Sequence, residues 1–445
     1  MFILHKKNIL YMFAKYFCNP WRNATFLFGK KVDPSWNLCL CYTSAQETAK
    51  HPSKKHKGTT QLKSEKALCQ PVLEHFDQQY SRELGNLWTS AREVLLNSHS
   101  WQYGVVLNRF AAVSNIIQTL KSKGFVLLQT ETSSLCEKRP TQSCLKQPGE
   151  NASILSSECL SDDSNLQSTY ASQRLQAQPS QSPLLQCYIH PYPLRFPSQG
   201  HRPSCLKQYY LLNAASLLPV LALRVKDGEN ILDLCSAPGG KALAIMQSCN
   251  PALLCCNEPD THRREWLAKT LNSFLPPSLN GYVAVSGQDG RHFGQSETSK
   301  YDKVLVDAPC SNDRSWLYSP DGLQVEQRLR ERAMLPDLQT QLLKSALSAV
   351  RPGGTVVYST CTLSSAENCS VVEAVLGSCP EAELEDLWEE LVVPLSEHFC
   401  FRHGQADPPQ CGTMAPPDAK LGILVVPQPG KTWGPMFLSR IRRKL

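Results

Sequence analysis

Two of the nineteen cysteines stand in settings suited to chemistry: Cys310 in Asp307-Ala308-Pro309-Cys310-Ser311, and Cys361 in Ser359-Thr360-Cys361-Thr362. Each follows a short apolar run that reads as a strand, Lys303 to Val306 and Thr355 to Tyr358. Both thiols are therefore expected at the strand ends of one sheet, in a shared site. Upstream, Asp233-Leu234-Cys235-Ser236-Ala237-Pro238-Gly239-Gly240-Lys241 reads as a glycine turn between strand and helix, where open α/β sheets hold nucleotide-like ligands. A cofactor pocket beside two thiols points to covalent chemistry.

The glycine turn is not a phosphate-binding P-loop. That motif needs glycine five residues before the Gly-Lys pair and serine or threonine after the lysine, and Cys235 and Ala242 occupy those places. No Gly-x-Gly-x-x-Gly fingerprint is present either. Gly239 and Gly240 instead allow backbone amides to approach an adenosyl ligand. Glu258 follows the second strand, where a carboxylate can accept from both ribose hydroxyls. Asp289, in Gly287-Gln288-Asp289-Gly290-Arg291 after the third strand, could accept from an adenine amino group, although Asp-Gly is also an ordinary turn. The ordered series of Gly-Gly turn, acid, Asp-Gly and Asp-x-Pro-Cys describes an S-adenosylmethionine pocket.

From Lys207 onward, strand and helix patterns alternate to position these residues: Ile231 to Leu234, Ala242 to Gln247, Leu253 to Asn257, Arg263 to Asn272, Tyr282 to Val285, Lys303 to Val306, Asp337 to Val350 and Val356 to Tyr358. Such alternation predicts an α/β fold, a mostly parallel sheet with helices on both faces. Leu421 to Val426 and Met436 to Leu438, joined through Gly430 and Gly434, suggest a hairpin closing the sheet edge. Further upstream, Val72, Leu73, Phe76, Tyr80, Leu84, Leu87, Trp88, Ala91 and Leu95 recur at helical spacing, a stripe that reads as core. Ala214 to Leu223, the longest largely apolar stretch, reads as a buried helix; it is too short to cross a bilayer and contains Pro219.

At these motifs the sequence resembles the Sun-domain family of RNA cytosine-5 methyltransferases, through Cys235 to Lys241, Asp307 to Cys310 and Thr360-Cys361-Thr362. The likeness covers about Lys66 to Gln129 and Cys187 to Arg442. It implies a Rossmann-like catalytic sheet and a smaller α+β domain that binds RNA. It also implies S-adenosylmethionine as cofactor, held by Cys235, Ser236, Ala237, Pro238, Gly239, Gly240, Lys241, Glu258, Arg263, Asp289, Gly290 and Asp307. Within the family the likeness is to members that methylate the wobble cytosine of mitochondrial methionine tRNA, which implies that tRNA as partner.

Carbon 5 of cytosine is a poor nucleophile until a group adds to carbon 6, and a thiolate does this well. By the family pattern Cys361 adds, carbon 5 takes the methyl group, and Cys310 assists loss of the carbon 5 proton. Position alone leaves that order open, because an isolated Pro-Cys pair carries the nucleophile in DNA cytosine methyltransferases. Asp307 would hydrogen-bond a cytosine protonated at its ring nitrogen, with Lys241 beside it. Cys235 is expected to contribute packing and backbone. Tyr209 and Tyr210 read as core before base-stacking. Arg314, Arg328, Arg330 and Arg332 suit either a phosphate path or a solvated helix face.

Lysine and arginine outnumber aspartate and glutamate 46 to 39, a balance that permits a polyanionic partner without demanding one. Residues 1–60 read as a mitochondrial leader and linker: Lys6, Lys7, Lys15, Arg22, Lys30 and Lys31 precede the first acid, Asp33, although a plain disordered extension reads the same way. An N-terminal RNA-binding domain is expected over 66–206, with a disordered insertion at about 131–186, and a catalytic domain over 207–445. No Cys-x-x-Cys pair occurs, so no metal site is expected. A monomer in the mitochondrial matrix, without membrane contact, completes the expectation. A noncatalytic RNA-binding assembly factor would not require both thiols, Asp307 and the pocket motif together. Methylation of mitochondrial ribosomal RNA is an alternative that the catalytic residues do not separate from tRNA methylation.

Overall fold

Gly85, at φ +57°, breaks the N-terminal apolar stripe into two helices, α1 (Gln70–Leu84) and α2 (Asn86–Leu96), where periodicity alone reads as one continuous run. The structure, a computed structural model, describes residues 68–128, 185–200, 202, 205–318, 325–404 and 420–445, all within one compact unit, Leu38–Leu445. The expected leader, and all but the last two residues of the expected insertion, lie outside the described residues.

A four-stranded antiparallel sheet is built from β1 (Gly104–Leu107), β2 (Val126–Leu127), β3 (Cys187–Ile189) and β4 (Tyr209–Leu212), in the order β2-β3-β1-β4. Tyr209 pairs with Leu107 and Leu212 with Gly104, so the boundary drawn at 206/207 runs through this sheet rather than beside it. The free edge of β1 takes up β4 because its ladder would otherwise lack a partner. Helix α3 (Ser114–Ser122) buries Leu120 beneath the sheet. Leu194 to Phe196, strand-like in sequence, is irregular chain.

The large sheet has nine strands: β5 (Asn230–Asp233), β6 (Leu253–Asn257), β7 (Val283–Ser286), β8 (Tyr301–Asp307), β9 (Val350–Thr360), β10 (Ala382–Glu385), β11 (Phe401–Gly404), β12 (Gly422–Val425) and β13 (Met436–Arg443). Their order is β11-β12-β13-β9-β8-β5-β6-β7, with β10 paired to β13. The five strands from β9 to β7 run parallel, and the remaining pairings are antiparallel. This is the expected Rossmann-like α/β sheet. The expected terminal hairpin is present, but β13 lies inside the sheet against β9, and β11 forms the edge.

Strand alternation divides the core into two layers. Ile231, Leu305 and Val357 face one cluster, with Leu243, Ile245 and Leu267 from α4 (Gly240–Ser248) and α5 (Thr261–Phe274). Leu232, Val304, Val306, Val356 and Tyr358 face the other, with Leu343 and Leu347 from α6 (Val325–Ala349) and Val372 from α7 (Cys369–Ser378). The α1 and α2 stripe enters this second layer, so the N-terminal helices share the hydrophobic core of the large sheet. Proline signals a boundary before Asp337, yet α6 continues through Pro336 to Val325. Buried Arg332 fastens that first half, offsetting the hydrogen bond proline cannot donate.

Chain order reverses at β5: β6 and β7 follow on one side, β8 and β9 on the other. The crevice outside the carboxyl ends of β5 and β8 is therefore a topological switch point, where such sheets bind ligands. Docking of α1 should be measurable through Phe76, which is fully buried and stacked on Trp316 with centroids 6.0 Å apart. We expect Phe76→Ala to cost about 3–5 kcal/mol, seen as a lower urea midpoint.

Candidate active site

Strand register brings the chemistry together. Asp307 ends β8 directly opposite Ser359 of β9, so Cys310 and Cys361 leave neighbouring strands within a few residues of each other. Their sulfurs are 3.3 Å apart, and the backbone N–H of Cys361 donates to Cys310 Sγ at 3.3 Å. Both cysteines are buried. Lys241, in the first turn of α4, holds Asp307 Oδ2 at 2.7 Å, while the Ser359 hydroxyl donates to Oδ1 at 3.0 Å. Two thiols, a carboxylate and an ammonium thus share the switch-point crevice.

Beneath the cysteines lies a buried polar network. Asp313 accepts from Tyr80 Oη at 2.9 Å, Thr362 Oγ1 at 2.8 Å and the Leu363 N–H at 2.7 Å. Glu367 accepts from the Ser311 N–H at 2.9 Å, Ser311 Oγ at 2.7 Å, Gln339 Nε2 at 3.1 Å and Arg332 Nε at 3.4 Å. Arg332 also donates to Tyr80 Oη at 2.8 Å and lies over the rings of Phe76 and Trp316. Burial pushes Asp313 up to about 6, with Arg332 acting the other way. Sequence reading gave Asp313, Glu367 and Gln339 no role, placed Tyr80 only in the core stripe, and read Arg332 as phosphate path or solvated face. A signal existed for Arg332: with Gln339, Leu342, Leu343 and Ala346 it extends the buried stripe of α6 at helical spacing.

At the other end of the crevice, α4 is preceded by Gly239 as its N-cap, whose φ of +107° is costly for any side-chain-bearing residue. The first-turn amides of Gly240 and Lys241 lie beyond the reach of intrahelical acceptors. Ser236 N–H donates to Asn257 O, and Gly239 N–H to Ser236 O, which closes the turn. The buried Asn257 side chain, another residue the motifs did not single out, donates to Leu234 O and Gln288 O and so joins the ends of β5, β6 and β7.

Glu258 is 2% exposed; Oε1 accepts from the Asp260 N–H at 3.0 Å, and Oε2 pairs with Arg263 at 3.2 Å. A carboxylate offers about four acceptor sites. Arg263 also donates to Ala237 O at 3.2 Å, bracing the turn through Pro238. Asp289 caps the turn Gly290–His292 and accepts from Arg291 Nε at 3.0 Å; that guanidinium holds its carboxyl below the usual range. Burial keeps the Cys235 thiol protonated, consistent with packing, and pushes the Asp233 carboxyl up to about 7. Helix amides for a carboxylate and a buried acid for two hydroxyls match the ends of an amino-acid nucleoside.

The arginine group separates. Arg332 is core, so neither a phosphate path nor a solvated face describes it; its guanidinium is neutralised by Glu367 and covered by three aromatic rings. Arg314 lies 4.6 Å over the Trp101 ring and donates to Thr432 O. Arg328 is half-buried, and Arg330 is exposed and paired with Glu326. Tyr209 and Tyr210 are core: the Tyr209 hydroxyl donates to Pro197 O, and Tyr210 packs edge-on against Phe274. Among the described residues no helix is long and apolar enough to cross a membrane, and no cluster of three metal-ligating side chains occurs.

A family profile described as 16S rRNA methyltransferase RsmB/F matches residues 220–403. The protein named tRNA (cytosine(34)-C(5))-methyltransferase, mitochondrial, from Danio rerio is 51% identical, over 86% of this chain and 89% of its own. The protein of that name from Mus musculus is 40% identical, over 87% and 94%. The 5-cytosine rRNA methyltransferase NSUN4 of Xenopus laevis is 35% identical, over 84% and 90%. The fold is also that of NSun6 from Pyrococcus horikoshii, solved with SFG, at TM-score 0.50 and 16% identity over 83% of this chain and 97% of that one.

Removing the buried cation tests the network. Arg332→Met keeps much of the side-chain volume but strands Glu367 and Asp313, and should destabilise the fold by about 3–5 kcal/mol in denaturant titration.

Proposed function

We propose, for a chain that belongs to the Sun-domain family of RNA cytosine-5 methyltransferases, that its substrate is the wobble cytosine of mitochondrial methionine tRNA. The enzyme is S-adenosylmethionine-dependent, and the cofactor supplies an electrophilic methyl group when bound. The reading is supported above all by one observation: two cysteine sulfurs 3.3 Å apart beside a carboxylate already braced by an ammonium. The relatives named for tRNA are more similar than the relative named for ribosomal RNA, which favours tRNA.

In this reading the Cys361 sulfur adds to carbon 6 of cytosine, and Asp307 hydrogen-bonds the ring nitrogen as charge develops there. Lys241 and Ser359 fix both oxygens of that carboxylate, so little reorganisation accompanies the reaction. Carbon 5, made electron-rich, takes the methyl group. Cys310 then receives the carbon 5 proton, and the carbon–sulfur bond to Cys361 breaks. The N–H that Cys361 points at Cys310 Sγ stabilises an anionic sulfur, the form a base requires. Glu258 would hold the ribose hydroxyls, Arg263 orient that acid, the amides from Ser236 to Lys241 receive the amino-acid end, and Asp289 and Gly290 border the adenine. The protein would act as a monomer in the mitochondrial matrix.

Cys361→Ala should reduce methyl transfer to background, whereas Cys310→Ala should accumulate an RNA–protein adduct that survives a denaturing gel. An adduct that needs Cys310 and ignores Cys361 would reverse the two roles. Bisulfite sequencing of mitochondrial RNA from cells lacking the protein should show the methionine tRNA unmethylated at its wobble cytosine. An intact tRNA mark beside a lost ribosomal one would replace the substrate.

A further inference from the structure

The spacing of the two sulfurs supports more than base chemistry. We infer that Cys310 and Cys361 form an oxidative modification site: a small peroxide converts them to a disulfide that a thiol reductant reopens. Bond formation needs the sulfurs to close from 3.3 Å to about 2.05 Å, a displacement of about 0.6 Å for each. Both residues sit just beyond the ends of adjacent parallel strands. Neighbouring strands lie about 4.8 Å apart, inside the span a disulfide tolerates.

The network beneath them sets the approach. Ser311, the residue after Cys310, bonds to Glu367 and to Thr362 Oγ1, and Asp313 bonds to Thr362 and Leu363 just after Cys361. Two clamped loops keep each thiol at high effective concentration for the other. The partner therefore captures an oxidised sulfur faster than a second peroxide arrives.

The chemistry balances without further reagents. The Cys310 sulfur, favoured as an anion by the Cys361 N–H, attacks one peroxide oxygen; the oxygen–oxygen bond breaks and hydroxide leaves as water after taking a proton. Cys361 sulfur then attacks the resulting sulfenic acid, the sulfur–oxygen bond breaks, and a second water leaves with the Cys361 proton. One peroxide is reduced to two waters and two thiols are oxidised to one disulfide.

Loss of activity on oxidation rests on the function proposed above, whereas formation of the disulfide does not. The test treats the full chain with near-stoichiometric hydrogen peroxide, alkylates remaining thiols, digests without reduction and maps peptides by mass. We expect the Cys310 and Cys361 peptides to be joined, lighter than their sum by about two hydrogens. Methyl transfer should fall at least about tenfold and return with dithiothreitol. Under the same treatment Cys361→Ser should give no joined peptide and leave Cys310 as a sulfenic acid, and Cys310→Ser should give no joined peptide and an alkylated Cys361. Alkylation of both cysteines after peroxide, or sulfinic acid at Cys361 of the unsubstituted chain beside an alkylated Cys310, would overturn the proposal. A joined peptide in a chain that never methylates RNA would support the modification site and remove the catalytic reading.

Discussion

Asp313 and Glu367, held around Arg332, form the constraint on which the site depends. Two acids and a guanidinium are carried out of water, which is costly unless each polar atom finds a partner. Here the partners are the loops themselves: backbone N–H groups of Ser311 and Leu363 and the hydroxyls of Ser311 and Thr362. Desolvation of the charges is offset by bonds that exist only when both cysteine loops adopt one arrangement. A purely apolar floor could bury as much area without selecting that arrangement.

The sheet supplies position, and the network supplies precision. Order reversal at β5 opens a crevice at the ends of β5 and β8, and parallel register sets Asp307 against Ser359. From there the division is lateral. The β5–β6 side carries the glycine turn, Glu258 and Asn257, while the β8–β9 side carries both thiols. Lys241 spans the two, attached to the turn by its backbone and to Asp307 by its ammonium. A change in either half is felt in the other through that one pair.

Much of this was legible in sequence where chemistry confines several residue types to adjacent positions. Asp307 to Cys310 and Cys235 to Lys241 are local, and a strand before each is enough to locate them at a sheet end. Asp313 and Glu367 look like ordinary loop acids because their partners are remote; Tyr80 lies 233 residues from Asp313 in the chain. Arg332 belonged to a cluster of charge, and only the buried side of α6 reveals its direction. The helix pattern from Asp337 begins in the structure at Val325, carried through Pro336, and Gly85 concealed a break inside an unbroken stripe. β10 and β11 were missed because short edge strands carry little periodic signal.

Tyr80 meets Thr362 across 282 residues, and Gln102 meets Thr432 across 330. These are among the longest loops the chain must close, and closing loops of high sequence separation slows folding. The cysteine loops are therefore pinned only where the first helix has met Thr362. A partly folded chain can have its glycine turn and parallel strands in place while its cysteine loops are still unpinned. Chemical competence thus reports completion of the whole fold, a safeguard that a self-contained catalytic half would not possess.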